Sequence, residues 1–527
     1  MTMRIFQILA LGLIIFNSGC QTPQKTDLRT FFPPATLVYA ETADLSRISG
    51  VFTGNKDWKS LSGVGETYFS FLQNKQAALG LVGLENSGEG PVLQVKPDLV
   101  LIIDTEAAEQ QTAAVAHKAL KELSQRFLKE EGEIEERSVN GIRWFIITGA
   151  GDKKIFSAVS GSILLIGNSE DAVKKCLEIK QNNSESLAGN RELLRAEQYG
   201  APDQIAFGYV SAAGIKELSD YLAISYALKS SEKALTREMI SGLLPEMLQK
   251  TVVSAAWSAR ATASGVEDSY FIETEKEFAR SLHQTIKPAP PDDSFGAKYL
   301  PREIYSISRY RLEDPQLAWR GMVLSLAAKL DKTYLPLFEQ FSRQMLKPYG
   351  IDDPELFLSA VDPQIITARF DEDGNESVVI ARIKDKEKLK RAVSETFNTG
   401  KPVTINGAEG WASKDGGAYA FFIEGNIIIG NEQAALACVQ AFRGGDNNTI
   451  DTNLMPQSFS GAGGVVATRQ KDDAAVQILS DLAARNNRSV EVNSYVFTET
   501  RIEAGGVRRK TLSAFGLLGE MLKQTLE

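Results

Sequence analysis

Histidine is nearly missing from this chain. His117 and His283 are the two imidazoles in 527 residues. Neither has cysteine, aspartate or glutamate neighbours at metal-ligand spacing, which argues against a histidine-based zinc site. A Ser-His-Asp triad would have to recruit one of these two. Cysteine is almost as scarce, with Cys20, Cys176 and Cys438. Three thiols make no disulfide framework, so stability has to come from a hydrophobic core. Long apolar runs are also lacking. After the first 16 residues nothing approaches the ~20 residues of a membrane-spanning helix, and stretches such as 99–103 and 163–166 are strand-sized. Basic charge does not dominate either: 58 Lys and Arg against 67 Asp and Glu leave a net charge of −9. Phosphate binding needs a concentrated basic face, so no nucleic-acid partner is expected. The densest basic stretch, 382–391, is interleaved with Asp385 and Glu387 and reads as a solvated helix face; 129–137 is its acidic counterpart.

Nucleotide motifs are absent in completed form. Gly63-Val64-Gly65, Gly149-Ala150-Gly151 and Gly461-Ala462-Gly463-Gly464 finish neither a dinucleotide fingerprint nor a phosphate loop, and read as turns. No Gly-x-Ser-x-Gly elbow occurs. Asp371, Asp373, Asn375 and Glu376 offer closely spaced oxygens of the kind calcium takes, but the glycine is misplaced for an EF-hand loop. Asp-Gly-Asn between two strand signals reads as a hairpin turn. Cys176 shares a helical face with Ala172, Val173 and Leu177, and Cys438 shares one with Ala435, Val439 and Phe442. Cysteines so placed are expected to be small buried hydrophobes with raised pKa. No metal, cofactor or catalytic residue is assigned.

What is present begins at the N-terminus. Arg4, an apolar stretch over 5–16, then Ser18-Gly19 and Cys20 read as a signal peptide, too short in its apolar part to span a bilayer. The cysteine directly after Ser18-Gly19 resembles a bacterial lipobox, although Asn17 stands where leucine is usual. On this reading 1–19 is a lipoprotein signal peptide and Cys20 the lipidated N-terminus. The acyl chains would be the only membrane attachment.

The rest of the chain is read as a duplication. Pro34, Leu37 and Leu45 map onto Pro301, Ile304 and Leu312 with an offset of 267. Asn140-Gly141 maps onto Asn406-Gly407 (266), Gly167-Asn168 onto Gly430-Asn431 (263), Leu218 onto Leu479 (261), and Gly265-Val266 onto Gly506-Val507 (241). Landmarks in one order with slowly drifting offsets predict two tandem domains, since the period is far too long for a solenoid. Residues 287–297, with Pro288, Pro290 and Pro291, read as a linker. The expected organisation is a tether over 20–30, a first α+β repeat over 31–286, the linker, and a second α+β repeat over 298–527. The fall in offset to 241 implies about twenty fewer residues in the second copy. A helix-like string over 516–524, similar to one ending at Lys250, is expected to cover the sheet surface left bare by that loss.

Strand signals fall at 99–103, 144–147, 155–159 and 163–166, and again at 378–381, 419–422 and 427–429. Ala116, Leu120, Leu123 and Phe127 share a helical face, as do Leu389, Val393 and Phe397. Tight hairpins at 370–376 and at Ser264-Gly265 require antiparallel pairing. The fold class is therefore α+β: two homologous domains, each a mostly antiparallel sheet packed with helices. The Pro-x-x-Leu-x-Tyr strand with an Asp-Leu helix start, the Asn-Gly hairpins and the Ile-Gly-Asn strand leading into a helix resemble a family of exported bacterial proteins, catalogued as a domain of unknown function. That resemblance implies an envelope location and this fold, and transfers no catalytic residue.

The expected function is a non-enzymatic envelope lipoprotein acting as a binding or scaffold protein. It would be lipid-anchored in the periplasm or at the outer membrane, with an envelope protein as a possible partner. Two alternatives stand beside it. One is a carrier of an apolar ligand held between sheet and helices, for which Leu335, Leu337, Phe338 and Phe341 are candidate lining. The other is a hydrolase working with carboxylates alone.

Overall fold

Both Asn-Gly pairs form hairpin turns. Asn140 and Gly141 take φ of 52° and 78°, and Asn406 and Gly407 take 52° and 73°, the left-handed pair that a two-residue hairpin requires. The computed structural model describes residues 25–58, 74–86, 95–124, 132–149, 153–230, 234–290, 295–397, 400–445, 463–488 and 492–526. The signal segment with Cys20, Phe127, the glycines at 63–65, 150–151 and 461–462, and linker residues 291–294 lie outside the described residues.

The fold is α+β, and the described residues form twenty antiparallel strands with helices over them. The first ten are β1 (Val38–Thr42), β2 (Gln76–Asn86), β3 (Val95–Asp104), β4 (Ile134–Val139), β5 (Ile142–Thr148), β6 (Lys154–Ser160), β7 (Ile163–Gly167), β8 (Ala206–Val210), β9 (Val252–Thr262) and β10 (Gly265–Thr274). The second ten are β11 (Ser306–Arg311), β12 (Val361–Arg369), β13 (Ser377–Ile383), β14 (Lys401–Ile405), β15 (Ala408–Ala412), β16 (Ala418–Ile423), β17 (Asn426–Asn431), β18 (Val466–Lys471), β19 (Tyr495–Glu503) and β20 (Gly506–Ser513). Their lateral order is β4-β5-β6-β7-β3-β2-β1-β8-β9-β10, then β20-β19-β18-β11-β12-β13-β17-β16-β15-β14. The second run repeats the first in reverse.

Register follows the sequence offsets. Phe156 pairs with Gly167, and 263 residues on Tyr419 pairs with Gly430. Val139 pairs with Ile142 as Ile405 pairs with Ala408. The two runs meet where β10 pairs antiparallel with β20, and there Ser269 faces Lys510, each the fourth residue after its turn glycine. Those glycines, Gly265 and Gly506, have φ of 132° and 155°. A Cβ on Gly265 would stand 2.2 Å from the Ser513 carbonyl oxygen, and one on Gly506 would stand 2.0 Å from that of Ile272. Each glycine lets the opposite strand close in.

Helices cover both faces, which explains the uninterrupted apolar runs of β7 and β17. On one face Ile102, Trp144 and Leu165 pack with Phe32, Val173 and Leu193, the last two from helices Glu170–Gln181 and Arg191–Glu197. On the other, Ile103, Phe145 and Leu164 pack under Ala116 and Leu120 of helix Glu109–Leu123. The second run is covered likewise by Glu432–Gly444 and, opposite, by Pro354–Ser359 and Lys386–Ala392. The helix expected across 385–397 is broken at Val393 (φ −113°, ψ 13°), with a separate turn at Ser394–Phe397. Between β8 and β9 run two helices, Ala212–Ser230 and Ala234–Thr251, whereas the described residues between β18 and β19 hold one, Asp473–Arg485. Helix Gly516–Leu526 follows β20 as Lys276–Thr285 follows β10, and so matches that helix in chain order, but it packs on Asp473–Arg485 as Ala234–Thr251 packs on Ala212–Ser230, the placement expected of a stand-in for Ala234–Thr251. It packs on β10 of the first run, while Lys276–Thr285 packs on β19 of the second. Each terminal helix thus crosses to the opposite run.

Candidate functional site

The residues singled out by sequence are scattered. His117 and His283 are exposed on separate helices. Cys176 and Cys438 are fully buried, and burial pushes the Cys176 thiol up to about 12 and the Cys438 thiol well above its ordinary value. Asp371 accepts backbone N–H bonds from Asn375 (3.1 Å) and Glu376 (2.9 Å), closing the β12–β13 hairpin. Among the described residues no group of three metal-ligating side chains converges. Phe338 is buried in helix Leu335–Gln344, with Leu335, Leu337 and Phe341 half-buried beside it.

A cavity opens elsewhere, beneath the segment that leads into β1. Asp27 caps the short turn Leu28–Phe31 by accepting the Arg29 N–H, and the burial of Leu28 and Phe31 fixes that turn on the sheet. The Gln76 side-chain amide donates to the Thr26 carbonyl at 2.6 Å, and Lys25 Nζ reaches the Ala43 carbonyl at 3.4 Å. Residues 25–29 therefore lie across the ends of β1, β2 and β8 and border a half-open pocket of about 310 Å³. Charged and amide groups on the wall are Lys25, Asp27, Arg29, Glu41, Gln76 and Gln204, with Ile205 and Phe207 supplying apolar surface. None of the helix-335 residues lines it.

Arg29 organises the charge. Its Nε and Nη2 donate to the two Asp27 oxygens at 2.8 and 3.1 Å, and its Nη1 donates to Glu197. This pairing, the Asp27 bond foremost, holds the guanidinium pKa above its usual value. Half-burial pushes the Glu197 carboxyl up, Arg29 pulls it down, and the nearby Glu41 charge pushes it up again. Glu41 accepts a 2.7 Å bond from the Tyr39 hydroxyl, and burial first, then Glu41, raises the phenol far above its ordinary range. Sequence reasoning passed over this cluster because Arg29 and Glu197 are 168 residues apart and no motif joins them. In β11, 267 residues on, Ser306 and Ser308 occupy the places of Tyr39 and Glu41. The charged constellation belongs to the first run.

The chain matches no protein-family model and no curated protein. Among solved structures, crystal form IV of TP0453 aligns over 46% of this chain and 98% of its own, with 9% identity and a TM-score of 0.22, a likeness too slight to bear on fold or function.

Proposed function

We propose that this chain is an exported lipoprotein anchored through Cys20, built from two homologous α+β domains joined edge to edge, that works by binding rather than by turnover. The repeated strand order and the registers that follow the sequence offsets support the two-domain reading. The single observation that carries the binding reading is the 310 Å³ cavity under residues 25–29. Its size falls within the range of small-molecule sites, and its wall mixes apolar floor with a few placed polar groups. The tether from Cys20 would deliver this cavity close to the membrane surface.

Native mass spectrometry of protein drawn from its own membranes tests the binding reading. A retained small molecule is expected in the wild type and not in Ala43→Trp, which fills the cavity from its exposed rim. No retained molecule, or one equally retained by the variant, counts against it. Release from membranes by Cys20→Ala tests the anchor separately, since no described helix is long and apolar enough to span a bilayer. A Cys20→Ala protein that still sediments with membranes after a high-salt wash would refute the single anchor.

A further inference from the structure

We propose that the cavity of the first run recognises a protonated amine, with the Glu41 carboxylate as its counter-ion. The inference rests on the binding reading above and adds the chemistry of the ligand. Of the four charged groups on the wall, Arg29 and Asp27 neutralise each other through two hydrogen bonds, and Arg29 spends a further N–H on Glu197. A guanidinium already facing the charges of Asp27, Glu197 and Glu41 is more than neutralised, which disfavours an anionic ligand there. Lys25 is exposed, with its Nζ on the Ala43 carbonyl. Glu41 differs from all three. It is half-buried, lines the cavity, hydrogen-bonds the neutral Tyr39 hydroxyl, and among the described residues makes no ion pair, feeling the Arg29 charge only from a distance. Counting Glu197 behind the wall, carboxylates outnumber cations around the space. A half-buried carboxylate hydrogen-bonded to a neutral hydroxyl favours a cation as its next partner. A primary ammonium has the donors to bridge Glu41 and the neighbouring amide and carbonyl oxygens. The second run offers Ser308 in place of Glu41, so one amine per chain is the expected stoichiometry.

The test uses the mature full-length chain and three probes of similar length: 1,5-diaminopentane, pentane-1,5-diol and glutarate, titrated calorimetrically at low ionic strength. The diamine is expected to bind in the millimolar range or tighter, with the diol and the dianion at least about tenfold weaker. Glu41→Gln keeps the shape and the acceptor for Tyr39, and should weaken the diamine about tenfold while leaving the melting temperature unchanged. Tyr39→Phe removes the competing hydroxyl and should leave the diamine as tight or tighter. Diol or glutarate binding as tight as the diamine and unaffected by Glu41→Gln would overturn the amine assignment and leave the cavity a binding site. Diamine binding equal in wild type and Glu41→Gln would overturn it too. Silence from all three probes overturns the amine assignment, and a molecule retained in the native protein but lost in Ala43→Trp would still uphold the cavity.

Discussion

The indole Nε1 of Trp257 donates a 2.7 Å hydrogen bond to Asp268 Oδ1, both side chains lying buried where the two runs of strands join. The other Asp268 oxygen accepts the Leu517 N–H at 2.9 Å, so a strand of the first run caps the helix that ends the second. Burial, the largest influence, pushes this carboxyl up to about 6 against the pull of its donors.

A raised carboxyl has a definite sign in the pH dependence of stability. Because the folded value exceeds the unfolded one, its stabilising contribution is complete below the unfolded value and is lost as pH rises through about 6. Asp268→Asn cannot ionise. Its stability relative to wild type should therefore improve by about 2 kcal/mol between pH 4 and pH 8, measured by urea unfolding at each pH. Parallel curves for the two proteins would refute the assignment.

Gly80 faces a ring. A Cβ there would stand 2.3 Å from Phe32 Cε1, and Phe32 is fully buried and edge-on to Tyr39 with ring centroids 5.3 Å apart. Gly80→Ala should cost about 1–3 kcal/mol, read from the denaturant midpoint. Shortening the ring in the double variant Gly80→Ala, Phe32→Leu should recover part of the loss. A neutral Gly80→Ala would mean that this packing is looser than described.

The two runs should stay together without a covalent link. Eight residue pairs join β10 to β20, and each terminal helix packs on the opposite run. A protease site inserted between Pro290 and Phe295 and then cut should give fragments that co-elute in gel filtration. Fragments that separate at micromolar concentration would show that the junction depends on the linker.

Thiol chemistry offers a fourth check. With Cys20→Ala, neither Cys176 nor Cys438 should react with an aromatic disulfide reagent at pH 8 in the native state, because burial holds both as thiols. Both should react once the chain is unfolded. A native thiol that reacts within seconds would contradict the packing of its helix.

Local features were readable from the sequence where a short stretch decides its own conformation. Asn140-Gly141 and Asn406-Gly407 could only turn, and 163–166 was legible as a strand. The buried faces of Cys176 and Cys438 followed from helical spacing alone. The junction was not readable, since Gly265 and Gly506 look like two hairpin turns until β10 and β20 are seen side by side. Nor was the cavity. Arg29, Glu41 and Glu197 are ordinary surface-type residues whose meeting depends on how β1, the N-terminal turn and helix Arg191–Glu197 stack.

Joining β10 to β20 consumes one rim of each run and leaves β4 and β14 as the outermost strands among the described residues. A ribbon with open rims invites the next molecule to add on. Here growth is checked by local chemistry. β4 carries Glu135, Glu136 and Arg137, with Arg137 drawn onto Glu170 and over Trp144, and β14 opens with Lys401 and Pro402, a residue with no amide hydrogen to offer a newcomer. Two charged or proline-bearing hairpins thus oppose polymerisation at both rims of the sheet.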